Sequence, residues 1–282
     1  MLEKFQSYLR GKEVSDRTVR DYLAVLGRFA RWVEQSYGEF DPAAVTPLDI
    51  ADYRRQFVEK GRKPTTINHY LDILGVFFEW AQSEGLIQTN PATGIKKVSQ
   101  QRQAPRWLDR RELGALTRAV QKYGSARDKA LIALLLHTGL RISEAVVLRQ
   151  EDIVTRERSG MVIVRQGKGG KYREVPLNVT VRRTLEEYLE SVNGEWVFPN
   201  RRGGHITTRA VEKILSRFGV FSGVEITPHM LRHTFAKQLV DQGVSLDQVA
   251  VLAGHSNLNT TARYTRPSLH DLELAVDKLA WE

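Results

Sequence analysis

The sequence predicts a mainly α-helical chain with a small antiparallel β-sheet, divided into two domains by a basic linker. Three observations carry this reading. Apolar residues recur every three or four positions through the first third of the chain. Residues 95–107 then lose that periodicity and carry basic side chains with no acidic one. Beyond them, helical patterns continue on both sides of one pair of β-rich runs around a glycine-rich turn. The predicted domains are residues 1–94 and 108–282, with the linker at 95–107.

In the first domain Ser15 can cap a helix from Asp16 to Tyr37, whose apolar face includes Val19, Tyr22, Leu23, Leu26, Phe29 and Ala30. Thr46-Pro47 is an N-cap followed by proline at the first helical position, and that helix should end near Gly61. Pro64 opens another, with Ile67, Tyr70, Leu71, Leu74, Phe77 and Phe78 on one side, ending at Gly85. With the N-terminal segment this makes four helices joined by short connections, the pattern of a compact bundle. Asn90-Pro91 closes it. The linker sequence IKKVSQQRQAPRW then supplies Lys96, Lys97, Arg102 and Arg106. A linker that only joins domains needs no such bias, whereas one crossing a phosphate backbone gains from it through counterion release.

In the second domain helices are expected at Arg110–Lys122, Ala126–His137 and Ser143–Arg149. The runs GMVIVR and KYREVPL flank Gln166-Gly-Lys-Gly-Gly170 as a hairpin. Helices return at Val179–Ser191, Thr208–Phe218, Pro228–Gln242, Leu246–Ala253, around Thr260–Tyr264, and at the C-terminus.

Composition narrows the function. The 282 residues include 41% hydrophobic and 27% charged side chains, the composition of a folding chain. A net charge of +9 fits either a solvated basic surface or a polyanionic partner such as nucleic acid. The absence of cysteine excludes disulfides, thiolate metal sites and a cysteine nucleophile. The N-terminus has no signal-like apolar run, and no segment reaches the roughly 18 to 20 apolar residues that span a bilayer. A cytoplasmic protein with access to DNA, and with no membrane association, is expected.

Five pieces bear chemistry. They are Thr138-Gly-Leu-Arg141-Ile-Ser-Glu144, the hairpin tip Gly167-Lys168-Gly169-Gly170-Lys171, His229-Met-Leu-Arg232-His233 after Thr227-Pro228, Ala253-Gly-His255, and Tyr264 nine residues further on. Each has a plain structural reading. Arginine after a helix C-cap suits a helix dipole, lysines at a hairpin tip suit a solvated turn, and a tyrosine near a helix end suits packing. The hairpin tip is not a Walker loop, because Val162 and Gly169 stand where that motif needs Gly and Ser or Thr. His229 and His233 have the spacing of zinc ligands on a helix, but Met230 replaces the glutamate that zincins require.

Taken in order, Arg141, Lys168, His229-x-x-Arg232, Gly254-His255 and Tyr264 resemble the tyrosine recombinase (phage integrase) family over essentially the whole chain. The stretch GKGGKYREVPL is most similar to Xer-type recombinases and transposon-encoded cointegrate resolvases. The length predicts no arm-site-binding domain of the kind found in larger phage integrases. The resemblance implies a helical core-binding (SAM-like) domain, a catalytic domain, and a DNA clamp formed by the two. It implies strand cleavage through a 3′-phosphotyrosyl intermediate with a free 5′-hydroxyl, without ATP, metal or other cofactor. Implied partners are double-stranded DNA with inverted-repeat core sites, bound by a monomer or dimer before synapsis and by a homotetramer in the synaptic complex.

The residue types suit that chemistry. Arg141 and Arg232 can hold the scissile phosphate with planar, permanently charged forks, and His255 can donate another bond. Tyr264 would be the nucleophile, His229 its base or orienting group, and Lys168 the acid for the leaving 5′-oxygen. Glu144, one helical turn after Arg141, can orient Arg141 or His229. Candidate DNA contacts are Lys96, Lys97, Arg102, Arg106, Lys171, Arg201 and Arg202, with Thr18, Arg20, Thr65 and Thr66 near bundle helix starts. After Arg266-Pro267, the stripe Leu272, Ala275, Val276 and Leu279 suits either packing on its own domain or exchange into a neighbouring subunit.

Overall fold

The structure is a computed structural model and describes residues 1–12, 14–100, 105–165, 172–254, 258–265 and 276–277. The chain falls into two compact units, Met1–Arg102 and Gln103–Glu282.

The first unit contains α1 (Leu2–Gly11), α2 (Asp16–Tyr37), α3 (Pro47–Glu59) and α4 (Pro64–Ser83). Their starts follow from local chemistry. The Ser15 hydroxyl accepts from the Thr18 amide at 3.2 Å. Thr46 and Asp49 cap α3 reciprocally, the Thr46 amide donating to Asp49 at 2.8 Å and the Asp49 amide to the Thr46 hydroxyl at 3.3 Å. Pro47 and Pro64 occupy first-turn positions, where the missing N–H has no helical partner to lose. The inward faces meet in an aromatic core in which Phe5, Phe29, Tyr53, Phe77, Phe78 and Trp80 are each at most 1% exposed. Phe29 and Tyr53 meet edge to face with centroids 5.0 Å apart.

The segment read as a linker is anchored at both ends to its own unit. Val98 and Asn68 exchange two hydrogen bonds, at 2.8 and 2.9 Å, and Lys97 pairs with Asp72 at 2.6 Å. At the other end the Arg106 guanidinium forks onto Glu112 at 2.9 and 2.5 Å, and the Leu108 amide donates to the Thr234 hydroxyl at 2.9 Å.

The second unit runs α5 (Arg110–Tyr123), α6 (Ala126–Thr138), α7 (Ile142–Ala145), β1 (Ile153–Thr155), β2 (Gly160–Val164), β3 (Arg173–Pro176), α8 (Val179–Leu189), α9 (Thr208–Ser222), α10 (Pro228–Asp241), α11 (Leu246–Ala253) and α12 (Leu258–Thr261). A short 3-10 helix follows at Ala262–Thr265. Helix α6 is buried nearly all round, with Leu131, Leu134 and Leu135 at most 1% exposed, and it packs against α8 and α10. The strands form one antiparallel sheet, β1-β2-β3, in which Val162 pairs with Ile153 on one side and Val175 on the other.

The helix expected over Ser143–Arg149 is corrected to one turn that stops at Ala145. Tertiary pairing takes the following backbone: the Val197 amide donates to the Leu148 carbonyl at 2.9 Å, and the Gln150 amide to the Glu195 carbonyl at 2.8 Å. The Arg149 amide meets Asp152 at 2.9 Å, opening a 3-10 turn over Gln150–Asp152. Strand β1 was not expected, because three residues are too short to show alternation. Among the described residues no helix is long and apolar enough to cross a membrane. Of the apolar C-terminal stripe, Val276 is 65% exposed, while Leu272, Ala275 and Leu279 lie outside the described residues.

Candidate active site

The site in the second unit begins where α6 ends. Gly139 closes that helix in the left-handed region with φ 61°. A Cβ there would sit 2.3 Å from the Phe235 ring, so both conformation and space demand glycine. The reversal delivers Arg141 to the start of α7. Its amide donates to Glu144 Oε2 at 2.8 Å, its Nη1 to Glu144 Oε1 at 2.8 Å, and its Nη2 to the Gly254 carbonyl at 2.8 Å.

Glu144 is 3% exposed. Arg173, the first residue of β3, grips the same carboxylate with both terminal nitrogens, at 3.0 and 2.7 Å. Burial alone would raise the Glu144 pKa. The bonds from Arg173, the Arg141 amide and the Arg141 side chain outweigh it and hold the carboxyl below its ordinary range.

Arg232 comes from α10. Thr227 caps that helix by accepting from the Met230 amide at 3.2 Å, with Pro228 in the first turn. The Arg232 side chain is buried, and its Nη1 donates to the Gly139 carbonyl at 2.5 Å. Burial, reinforced by repulsion from Arg141 and Arg173, pulls its pKa down to about 10, against the pull of Glu144 and Tyr264. Two guanidinium groups, those of Arg141 and Arg173, therefore hold one carboxylate, with the buried Arg232 within electrostatic reach of it.

Tyr264 is 1% exposed and packs with Ala236 and Val249. Its hydroxyl shares a 2.5 Å hydrogen bond with His233 Nδ1. The His233 and His229 rings lie stacked one turn apart on α10, with centroids 6.3 Å apart. Among the described residues no group of three or more His, Cys, Asp or Glu is placed to hold a metal ion.

The structure thus brings together Arg141, Glu144, Arg232 and Tyr264, with His229 exposed in the first turn of α10. Glu144 engages Arg141, one of the two partners expected for it. Lys168, Lys171, His255 and Arg102 lie outside the described residues. Arg201 and Arg202 are exposed on a turn that Asn200 closes by accepting from the Arg202 amide at 2.7 Å. Lys96, Lys97, Thr18, Arg20, Thr65 and Thr66 belong to the first unit, where Thr18 shares a 2.9 Å bond with Ser15 and Arg20 and Thr65 are exposed.

Two participants were not foreseen. His233 was read only as a possible zinc ligand, yet it completes the run HMLRH and lands on the phenol. Arg173 was read only as part of a β run. Its signal is period two: it shares the inward side of β3 with buried Val175, and a charge on that side needs a partner.

Comparison with known proteins places the chain in a family. Residues 106–270 match the phage integrase family, and residues 1–87 match the phage integrase N-terminal SAM-like domain. The chain therefore belongs to the phage integrase family and is a tyrosine recombinase. Within that family its relatives include recombinases of the Xer type. It is 34% identical over 279 residues to tyrosine recombinase XerC of Thermodesulfovibrio yellowstonii, covering 94% of this chain and 90% of that one. It is 32% identical over 283 residues to tyrosine recombinase XerA of Thermococcus kodakarensis, covering 99% and 94%. The fold is shared with XerH site-specific recombinase bound to a palindromic difH substrate, with a TM-score of 0.80, 24% identity, and 98% of this chain and 83% of that chain covered. It is also shared with a lambda integrase fragment dimer bound to a core site, with a TM-score of 0.76, 19% identity, and coverage of 95% and 96%.

Proposed function

We propose that this chain cleaves and rejoins duplex DNA by metal-independent transesterification, with Tyr264 as the nucleophile. The observation that carries the reading is the pairing of Arg141 and Arg173 on the single carboxylate of Glu144, with the buried Arg232 within electrostatic reach of that carboxylate and of the Tyr264 phenol. Among the described residues that leaves positive charge in a buried place, which a phosphate would neutralise.

In the proposed step the Tyr264 oxygen attacks phosphorus as its proton passes to an imidazole. His233 holds the hydroxyl, and His229 lies one turn earlier on the same helix. The bond from phosphorus to the 5′-oxygen breaks, Lys168 gives that oxygen a proton, and a 3′-phosphotyrosyl link remains. Arg141, Arg232 and His255 stabilise charge on the non-bridging oxygens, as preorganised donors do without a metal. Attack by a 5′-hydroxyl reverses the step, so the bond energy is conserved and no cofactor is consumed.

By the same reading, residues 1–94 form a core-binding domain, 95–107 a basic connection along the phosphates, and 108–282 the catalytic domain with a C-terminal exchange helix. Together they clamp duplex DNA carrying inverted-repeat core sites. A monomer or dimer binds first, and a homotetramer forms at synapsis in the cytoplasm, with the nucleoid. The biological outcome belongs to chromosome or cointegrate resolution or to mobile-element integration. The DNA-bound XerH and lambda integrase neighbours support a DNA partner.

The test uses labelled duplexes selected by binding from a randomised pool. Wild type and Tyr264→Phe are incubated with them in the presence of a chelator. A covalent adduct from wild type alone supports the reading. No adduct from either, or strand breakage only with a divalent ion, overturns it.

A further inference from the structure

Arg173 stands at the start of β3, with its side chain 9% exposed and both terminal nitrogens on Glu144. The carboxylate it holds also receives the Arg141 amide and Nη1. Each oxygen of Glu144 thus serves both arginines, and the position of one guanidinium depends on the other.

The guanidinium of Arg173 also occupies the space that a side chain at Gly254 would need. A Cβ on that residue would sit 2.9 Å from Arg173 Cζ and Nη1, and Gly254 has φ 64° at the end of α11. The carbonyl of the same residue accepts from Arg141 Nη2 at 2.8 Å. Gly254 thus accepts a hydrogen bond from Arg141 and leaves no room for a side chain beside Arg173, directly before His255 in the sequence.

We propose that Arg173 is a positioning residue for strand cleavage, aligning Arg141 through Glu144 in a space that only a glycine at position 254 leaves open. The inference rests on the recombinase reading above. Arg173 does not reach the phosphate in this role. It joins the buried Glu144 carboxylate and the Arg141 guanidinium into one mount, which matters because a charge displaced from the reacting phosphate loses most of its effect on the barrier. Lysine cannot replace it fully, since an ammonium lacks the planar fork that spans both carboxylate oxygens.

The experiment compares wild type, Arg173→Gln, Arg173→Lys and Gly254→Ala on one selected duplex under single-turnover conditions, measuring adduct rate and DNA affinity separately. Arg173→Gln should slow adduct formation about 10- to 100-fold, the range for losing a partner that orients an active group, with DNA affinity unchanged. Arg173→Lys should recover part of the rate, and Gly254→Ala should lose rate because its Cβ displaces the guanidinium. Combined with Arg141→Lys, the Arg173→Gln loss should be much smaller than in the wild-type background, because both changes disable one unit. Where Arg173→Gln shows no thermal unfolding transition, Arg173→Lys carries the same comparison with a cation retained. A wild type that forms adduct beside variants that match it overturns this inference alone. So do losses that multiply with Arg141→Lys. A wild type that forms none on any selected duplex overturns the recombinase reading and this inference with it.

Discussion

The hydroxyl of Tyr264 and Nδ1 of His233 lie 2.5 Å apart. One helix therefore presents both the buried Arg232 and the ring that holds the phenol. If His233 accepts the phenol proton, removing it should cost about 100-fold or more in the rate of adduct formation, the lower range for general base catalysis. His233→Gln measured in single turnover beside His229→Gln checks this. Equal rates for His233→Gln and wild type would remove His233 from the chemistry.

Glu144 links stability to pH. Its carboxyl is held below the ordinary range in the folded chain, so its contribution is present above the unfolded-state pKa and is lost as pH falls through the folded value. Glu144→Gln should cost about 3 kcal/mol near neutral pH, because it leaves the partly buried guanidinium groups of Arg141 and Arg173 short of an anion. The gap between the wild-type and variant denaturation curves should close on acidification. A gap that persists at the lowest pH of folding would contradict the linkage.

Gly139→Ala should destabilise the second unit. The added methyl meets the Phe235 ring at 2.3 Å in a left-handed conformation, and overpacking with strained backbone costs roughly 3 kcal/mol together. A thermal melt should fall by about 6 to 12 °C. An unchanged melting temperature would mean that the turn before Arg141 is more plastic than its contacts indicate.

DNA binding should weaken steeply with salt, given the net charge of +9. If Lys96 neutralises one phosphate, Lys96→Ala should reduce the slope of log affinity against log salt by about 0.9. Arg106→Ala should reduce it less, because its guanidinium is already forked onto Glu112. Titrations at several salt concentrations separate the two.

Much of the fold was legible from local signals. Helix α2 runs from Asp16 to Tyr37 because Ser15 caps it and its apolar face keeps the 3.6 period. Capping, proline placement and periodicity act over a few residues and survive in any context. The short α7 was not legible, because the backbone after Ala145 is claimed by residues 195–197, some fifty positions away in sequence.

By itself, then, the sequence determined the two helical units, the hairpin, the glycine that turns the chain before Arg141, and the ordered set of arginine, histidine and tyrosine. Only the tertiary structure decided which groups meet. Arg173 joins Arg141 on Glu144 across 29 residues, and Arg232 reaches the Gly139 carbonyl across 93. The physical reason is that a buried charge must find a partner somewhere, and its residue type states that need without stating where the partner lies.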